Sequence, residues 1–526
     1  MLLCFRVLCY DTYMKKMVAL VVLDGWGIGD TTPSNPIYAA QPQTIAYIKN
    51  NFPSLSLQAS GIAVGLPWGE EGNSEVGHLT MGIGKVVYQH YPRITLAIKD
   101  GSFQKNKAIL DALAHAKKHG GKINFVGLLS DGNVHSSLGH LDALFSMAKE
   151  AQLPFALHAI TDGRDSVPQS AWSILSRLPL DRIGSIFGRF YAMDRDRHWD
   201  LTHQAYQACV GQGPSIEQNT LKEHIEKAYA KNLNDEYVAP ATINNGELAI
   251  KDNDAVFFFN FREDRMRQIV ESFINPAFEQ FPIQKFSSLF CASMTQIRGD
   301  FSIPVAFPPQ KIDTCLGKIL SEQGKTQLRL AETQKYAHVT FFFNGLVDKP
   351  FANEFRVLIP SRTVPRQDED PEMMAPAITT RLIEALEQQT FDFILTNYAN
   401  ADMVAHTGNF DASKKAVEIL DAQLAKVVKA ALAVDATLII TSDHGNVERV
   451  FNPLTGEKET KHDISPVPFY FVDRAFQKPQ DPTRVQEHER LTDGMLADIT
   501  PTILDIFGIP KETSMTGFSL TEQLKI

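Results

Sequence analysis

One serine, Ser74, lies in Gly72-Asn-Ser-Glu-Val-Gly-His78, directly after the glycine-rich stretch Gly65-Leu-Pro-Trp-Gly-Glu-Glu-Gly72. Far from it in the chain stand Asp24 (Leu23-Asp-Gly-Trp-Gly), Asp402 and His406 (Asp402-Met-Val-Ala-His406), Asp443 and His444 (Ser442-Asp-His-Gly445), and His462 ahead of Pro466-Val-Pro468. Together these residues suit a two-metal site that activates a serine oxygen for phosphoryl chemistry. A neutral serine attacks phosphorus poorly, but coordination to a divalent cation makes its proton far easier to lose. If Asp402 to His406 is helical, carboxylate and imidazole fall on one face and share an ion, with His462 completing it from a loop. Asp443 and His444 are adjacent and need a turn, which Gly445 permits. Oxygen and imidazole without thiolate suits Mn²⁺, with Mg²⁺ or Zn²⁺ as alternatives. Any one of these residues alone reads equally as a helix or turn cap; the set reads as a site.

Four short apolar runs must position these groups. Val18-Ala-Leu-Val-Val-Leu23 ends at Asp24, and Ala436-Thr-Leu-Ile-Ile440 ends just before Ser442-Asp-His-Gly445. Ile123 to Leu129 and Phe391 to Leu395 also end in polar residues. Strands buried on both faces of a parallel sheet read this way. Helical periodicity fills Asn106 to His119, Leu138 to Ala151, Ala375 to Gln389 and Ala412 to Ala433. The class is therefore α/β, and polar groups just after the strands sit where open sheets bind ligands.

With 526 residues, more than one domain is expected. Ligand candidates come from both ends of the chain, while the middle has its own strand–helix series. The simplest arrangement is a discontinuous metal-binding domain, 17–88 with 312–526, carrying an inserted domain at 92–308. Tyr88-Gln-His-Tyr-Pro92 and Phe307-Pro-Pro-Gln-Lys311 read as hinges. Pro360 to Pro371 and Lys478 to Glu489 read as surface loops. Residues 1–16 read as a disordered N-terminal extension, with Met14 or Met17 the more natural start. A net charge of −10 argues against a nucleic-acid surface. No apolar run is long enough for a bilayer, and five scattered cysteines suit reduced thiols in the cytoplasm.

The middle region adds Ser130-Asp-Gly-Asn-Val-His135, Thr161-Asp-Gly-Arg-Asp165, Gly188-Arg-Phe-Tyr-Ala-Met-Asp-Arg195 and Asn260-Phe-Arg-Glu-Asp-Arg265. Arginines in such turns suit bidentate capture of carboxylate and phosphate. Arg164 beside Asp165 pairs a substrate-holding cation with a carboxylate able to take a hydroxyl proton. Lys335, ahead of the apolar Val339 to Phe343, reads equally as a bridge to a phosphate and as a solvated lysine.

The stretches Leu23-Asp-Gly-Trp-Gly, Gly72-Asn-Ser-Glu-Val-Gly-His, Ile160-Thr-Asp-Gly-Arg-Asp, Tyr191-Ala-Met-Asp-Arg-Asp, Ser442-Asp-His-Gly-Asn and Ala497-Asp-Ile-Thr-Pro-Thr resemble, in order, the cofactor-independent phosphoglycerate mutases of the alkaline phosphatase superfamily. The likeness runs from about Met17 to Leu524. It implies one manganese on Asp402, His406 and His462, and another on Asp24, Ser74, Asp443 and His444. It also implies substrate contacts at His135, Arg164, Asp165, Arg189, Arg195, Arg262, Arg265 and Lys335. The implied activity is interconversion of 3- and 2-phosphoglycerate through phosphorylated Ser74, with Asp165 as base, in a cytoplasmic monomer. Two features depart from the family pattern: Asp463 and Ser465 stand after His462 where threonine and asparagine are usual, and Gln89-His-Tyr-Pro-Arg93 is unusual at the first hinge. The competing readings are a metal-dependent phosphatase or phosphopentomutase-like enzyme on the same core, and a non-catalytic binder of phosphorylated ligands.

Overall fold

The computed structural model describes residues 17–452 and 454–525; the expected N-terminal extension lies outside them. The chain divides into two compact units, one made of the segment up to Tyr88 and the segment from Lys311 onward, the other of Gln89–Gln310.

The first unit is built on eight strands in the order Glu354–Ile359, Gln327–Glu332, Phe393–Tyr398, Val18–Leu23, Thr437–Thr441, Val467–Val472, Ser54–Gln58 and Gly494–Met495. The first five run parallel, and Val467–Val472 is antiparallel to its two neighbours. Val18–Leu23 shows why the centre is where it is. Ala19, Val21 and Leu23 enter one core and Val18, Leu20 and Val22 another, so helices must cover both faces. Each buried valine or leucine contributes about 1.5–3 kcal/mol, which drives this strand inward and leaves Asp24 at its carboxyl end. Because the neighbouring parallel strands end on the same side, the segments after them deliver Lys335, Asp402, Asp443 and His444 to one edge of the sheet.

The second unit repeats the principle with the order Val305–Phe307, Phe290–Thr295, Ala255–Phe258, Ile123–Leu129, Phe155–Thr161, Ile183–Gly188, Ala241–Ile243 and Ser215–Ile216. All neighbours are parallel except Ile183–Gly188 with Ala241–Ile243. Ile123 and Phe125 point into one core, Val126 and Leu128 into the other.

The strands expected at Phe391–Leu395 and Ala436–Ile440 are Phe393–Tyr398 and Thr437–Thr441. The four expected helices are Lys107–His119, Leu138–Glu150, Ala375–Gln388 and Phe410–Ala433. Asn106 caps the first through Oδ1, which accepts from the Ala108 amide at 3.1 Å. One segment differs from its reading. Lys478 to Glu489, expected as loop, contains the start of the helix Pro482–Arg490. Asp481 accepts from the Thr483 amide at 2.9 Å and Pro482 occupies the first turn, a start signal hidden because the helix buries no side chain. At Tyr88–Pro92 the helix His90–Asp100 begins. Pro92 is tolerated in its first turn because the missing N–H has no intrahelical partner there.

Two histidines of the second unit make its stability pH-dependent. Burial pushes His158 down to about 3 and His140 to about 4, from an ordinary value of 6.5. His158 lies between Ser185 Oγ at 2.8 Å and Asn124 Oδ1 at 3.2 Å, partners suited to a neutral ring. The unfolded chain binds protons at these groups below about 6.5 and the folded chain does not. Their contribution is therefore complete above that pH and lost as pH falls toward 4 and then 3. Hydrogen exchange of Ile123–Leu129 and Phe155–Thr161 will show protection declining through this window, and His158→Gln will reduce the decline. Protection independent of pH there contradicts the assignment.

Candidate active site

Ser74 is the first residue of the helix Ser74–Ile83, capped by Asn73, whose Oδ1 accepts from the Val76 amide at 3.0 Å. An oxygen here faces the positive end of the helix dipole, a ready anion site. Around Ser74 Oγ stand Lys335 Nζ at 2.7 Å, Asp24 Oδ1 at 3.1 Å and His444 Nε2 at 3.1 Å. Lys335 Nζ also donates to Asp24 Oδ1 and Asp402 Oδ2, each at 2.6 Å. Lys335 therefore bridges two of the predicted carboxylates, Asp24 and Asp402, as well as facing the serine.

These groups are buried, so their charges act through little solvent. Burial alone would strip the proton from Lys335, but Asp24, Asp402 and Asp443 outweigh it and hold the ammonium above its ordinary range. Burial likewise opposes charge on Asp402 and Asp443. Lys335 beside the first and His444 beside the second nevertheless keep both well below the usual carboxylate range. His444, despite burial, is pulled up to about 10, with Asp443 the foremost cause. The pocket thus gathers an excess of negative charge that attracts whatever cation can reach it.

Two ligand sets emerge. Asp402 belongs to the short helix Asn400–Ala405, and His406 closes it. Asp402 Oδ1, His406 Nε2 and His462 Nε2 form a triangle with sides of 3.2, 3.2 and 3.3 Å. His406 Nδ1 meets the Thr460 carbonyl at 2.8 Å and His462 Nδ1 the Gly72 carbonyl at 2.7 Å. A carbonyl only accepts, so each neutral ring carries its proton on Nδ1 and turns the Nε2 lone pair toward Asp402. Three acceptors converging on one point fit a cation. Ligands at about 2.1 Å from one divalent ion lie roughly 3–3.5 Å apart.

The second set is Asp24, Asp443 and His444, whose ligand atoms lie within 4.8 Å of one another. Asp443 Oδ2 is 3.2 Å from His78 Nδ1, but that nitrogen also lies 2.9 Å from the Ser74 carbonyl, and Oδ2 accepts no hydrogen bond. A buried carboxylate oxygen left without a donor is costly, and a metal ion resolves it. Asp24 Oδ2 instead accepts from Asn397 Nδ2 at 2.7 Å. The donor atoms of both sets, together with the unpartnered Asp443 Oδ2 in the second, fit divalent metals.

In Gln89–Gln310, Asp165 is the hub. Its Oδ2 meets His135 Nδ1 at 2.5 Å and its Oδ1 accepts from Arg189 Nη1 at 2.9 Å. Burial alone would raise its pKa, but His135 and Arg189 bring it below the ordinary value. Arg189 also donates from Nη1 to Asp162 Oδ1 at 2.5 Å, while its buried Nη2 has no partner. Arg195 and Arg262 share Asp264, at 3.0 and 3.6 Å, and Arg164 reaches Glu236 at 3.3 Å. Burial, then the nearby charges of Arg195 and Arg189, lower Arg265, as expected where guanidinium groups crowd. An unpaired buried guanidinium nitrogen beside exposed arginines suits an anionic ligand.

Sequence reasoning missed His78, Asn397, Asp162 and Ser442. Asp162 had a visible signal, an acid just past a strand, and it orders the turn by accepting from the Arg164, Asp165 and Ser166 amides at 3.2, 3.1 and 2.8 Å. Ser442 accepts from the Trp26 amide at 2.9 Å. Asn397 had only the weak signal of a polar residue inside the buried strand Phe393–Tyr398.

The sheet order, candidate ligand sets and the serine beside them suit a metal-dependent phosphoryl-transfer enzyme, and the chain matches the family model of the Metalloenzyme superfamily over residues 16–511. The chain is 41% identical over 515 residues to a 2,3-bisphosphoglycerate-independent phosphoglycerate mutase of Ectopseudomonas mendocina, covering 96% of this chain and 99% of that protein. It is 42% identical over 519 residues to the protein of that name from Clostridioides difficile, covering 96% and 99%. Among solved structures, phosphoglycerate mutase of Leishmania mexicana aligns with a TM-score of 0.50 and 29% identity, over 96% of this chain and 97% of that one. The chain belongs to the 2,3-bisphosphoglycerate-independent phosphoglycerate mutase family.

Gly25 tests how tightly the centre is held. Its φ is +72°, and a Cβ there would stand 2.7 Å from Asp402 Cβ. Gly25→Ala therefore combines left-handed strain of roughly 1–2 kcal/mol with displacement of Asp402. Calorimetric titration is expected to show divalent-metal affinity reduced at least about ten-fold; unchanged affinity refutes this packing argument.

Proposed function

We propose that the protein interconverts 3-phosphoglycerate and 2-phosphoglycerate through phosphorylated Ser74, without 2,3-bisphosphoglycerate. The observation that carries this reading is Ser74 Oγ at a helix N-terminus, within 3.1 Å of Lys335, Asp24 and His444. Asp402, His406 and His462 would hold one divalent ion, and Asp24, Ser74, Asp443 and His444 a second. Mn²⁺ suits this mixture, with Mg²⁺ or Zn²⁺ as alternatives. When bound, such ions ease loss of the serine proton and offset charge on the phosphoryl oxygens.

Ser74 Oγ attacks the phosphorus while Lys335 stabilises the charge that develops beside it. The bond from phosphorus to the glycerate oxygen breaks, and that oxygen takes up a proton from a neighbouring cationic group. Arg164, Arg189, Arg195, Arg262 and Arg265 retain the glycerate through its carboxylate, and His135 fixes Asp165. Asp165, held ionised, removes the proton from the other hydroxyl. That oxygen attacks phosphoserine, the bond from phosphorus to Oγ breaks, and Ser74 is regenerated. Retention of glycerate, in place of attack by water, separates this mutase outcome from a phosphatase.

A cytoplasmic monomer completes the reading. Cys209, Cys291 and Cys315 are buried free thiols, with burial pushing them up to about 12, 12 and 11. Inert reduced thiols suit a reducing compartment. Among the described residues no helix is long and apolar enough to cross a membrane.

An enolase-coupled assay with 3-phosphoglycerate will give the same rate with and without 2,3-bisphosphoglycerate, and Ser74→Ala will lower it roughly 10³-fold or more. Release of inorganic phosphate as the main product would instead identify a phosphatase. Asp165→Asn is expected to reduce kcat about 10²–10⁴-fold while phosphorylated Ser74 accumulates in mass spectra. Normal turnover in either variant contradicts the scheme.

A further inference from the structure

Glu448 is a buried carboxylate beside the ligand segments but belongs to neither ligand set. Its Oε2 accepts from the amides of Gly27 and Asn446, each at 2.9 Å. Gly27 follows the ligand Asp24, and Asn446 follows the ligand His444. Asn446, itself fully buried, passes the connection on: its Nδ2 donates to Asp402 Oδ1 at 2.8 Å. That is the oxygen facing both His406 and His462. One carboxylate oxygen thus ties together the chain segments bearing Asp24, His444 and Asp402, which are far apart in sequence.

The surroundings are shaped for this side chain. A Cβ on Gly27 would lie 2.1 Å from Glu448 Oε1, one on Gly445 would lie 2.2 Å from the same atom, and one on Gly29 would lie 2.7 Å from Glu448 Cβ. Three glycines therefore clear the space that Glu448 fills. Two further links run alongside: the Val447 amide donates to the Gly25 carbonyl at 2.9 Å, and the Gly25 amide donates to the Asp443 side-chain Oδ1 at 3.2 Å.

We propose that Glu448 is a positioning residue for metal uptake, acting through Asn446 on the Asp402 ligand oxygen. It aligns two loops so that the Asn446 amide fixes Asp402 Oδ1 toward the two histidines. Groups that orient ligands in this way affect metal affinity nearly as strongly as ligands do. The inference rests on the metal occupancy proposed above.

The test is Mn²⁺ titration by calorimetry of metal-free parent, Glu448→Gln, Glu448→Ala, Asn446→Ala and the double Glu448→Ala/Asn446→Ala variant. Glu448→Gln keeps an acceptor oxygen and the volume, so its affinity stays within about two-fold of the parent. Glu448→Ala and Asn446→Ala each weaken binding roughly ten- to a hundred-fold. The double variant is no weaker than the worse single one, because both act along one chain of hydrogen bonds. Should Glu448→Ala not fold, Asn446→Ala against Glu448→Gln carries the same comparison. Parent-like affinity in Asn446→Ala, fully multiplying losses in the double variant, or a Glu448→Gln variant as impaired as Glu448→Ala overturns the proposal. A parent that takes up no Mn²⁺ overturns it together with the metal assignment, whereas variant-specific outcomes bear on Glu448 alone.

Discussion

Three buried carboxylates, Asp24, Asp402 and Asp443, gather within 3.9 Å of His444 Nε2, itself 3.1 Å from the Ser74 hydroxyl, and their mutual repulsion is the constraint that the first unit is built to contain. In a medium of low dielectric such a cluster is tolerable only with positive charge packed among it. Lys335 supplies one charge within 2.6 Å of two of the three. The remaining excess is the physical reason to expect divalent metal, and Asp402, His406 and His462 form one candidate group for it. Cations bound among these carboxylates would offset that excess and ease loss of the Ser74 proton.

The parallel sheet makes this concentration of charge affordable. Val18–Leu23 is buried on both faces, so apolar packing holds it at the centre while its successor Asp24 meets groups delivered by neighbouring strand ends. Glycines allow the closest approaches: a Cβ on Gly77 would stand 2.5 Å from the Asp443 carbonyl oxygen. The second unit uses the same device for a different electrostatic purpose. Asp162 and Asp165 hold Arg189 in place, leaving one of its nitrogens unpaired, and arginines gather nearby. The first unit concentrates acceptors for cations, the second concentrates donors for anions.

Much of this was legible in the chain because strand-end chemistry leaves local marks. Continuous apolar runs ending in Asp-Gly or Ser-Asp-His-Gly announce both a parallel strand and the groups beyond it, and all seven metal-site candidates lie together in one unit. What escaped were residues whose importance comes from tertiary neighbours. Asn397 matters because Asp24 lies across the sheet from it, which no local pattern reveals. Lys335 was placed at a phosphate, but its bridging of Asp24 and Asp402 depends on adjacent strand ends being far apart in sequence. The helix Pro482–Arg490 went unread because periodicity reports burial, and this helix buries nothing. Asp463 and Ser465, flagged as departures, form a closed turn in which Asp463 Oδ1 accepts from Ser465 Oγ at 2.6 Å while Oδ2 pairs with Arg449 at 3.3 Å. The carboxylate is thereby engaged beside His462 without joining the ligand triangle.

The most direct test of this account is anomalous diffraction from crystals grown with Mn²⁺. The account predicts two peaks, one bounded by Asp402, His406 and His462 and one by Asp24, Asp443 and His444, with Ser74 Oγ in contact with the second. Well-ordered crystals showing no peak at either set, or ions only elsewhere on the protein, would contradict it.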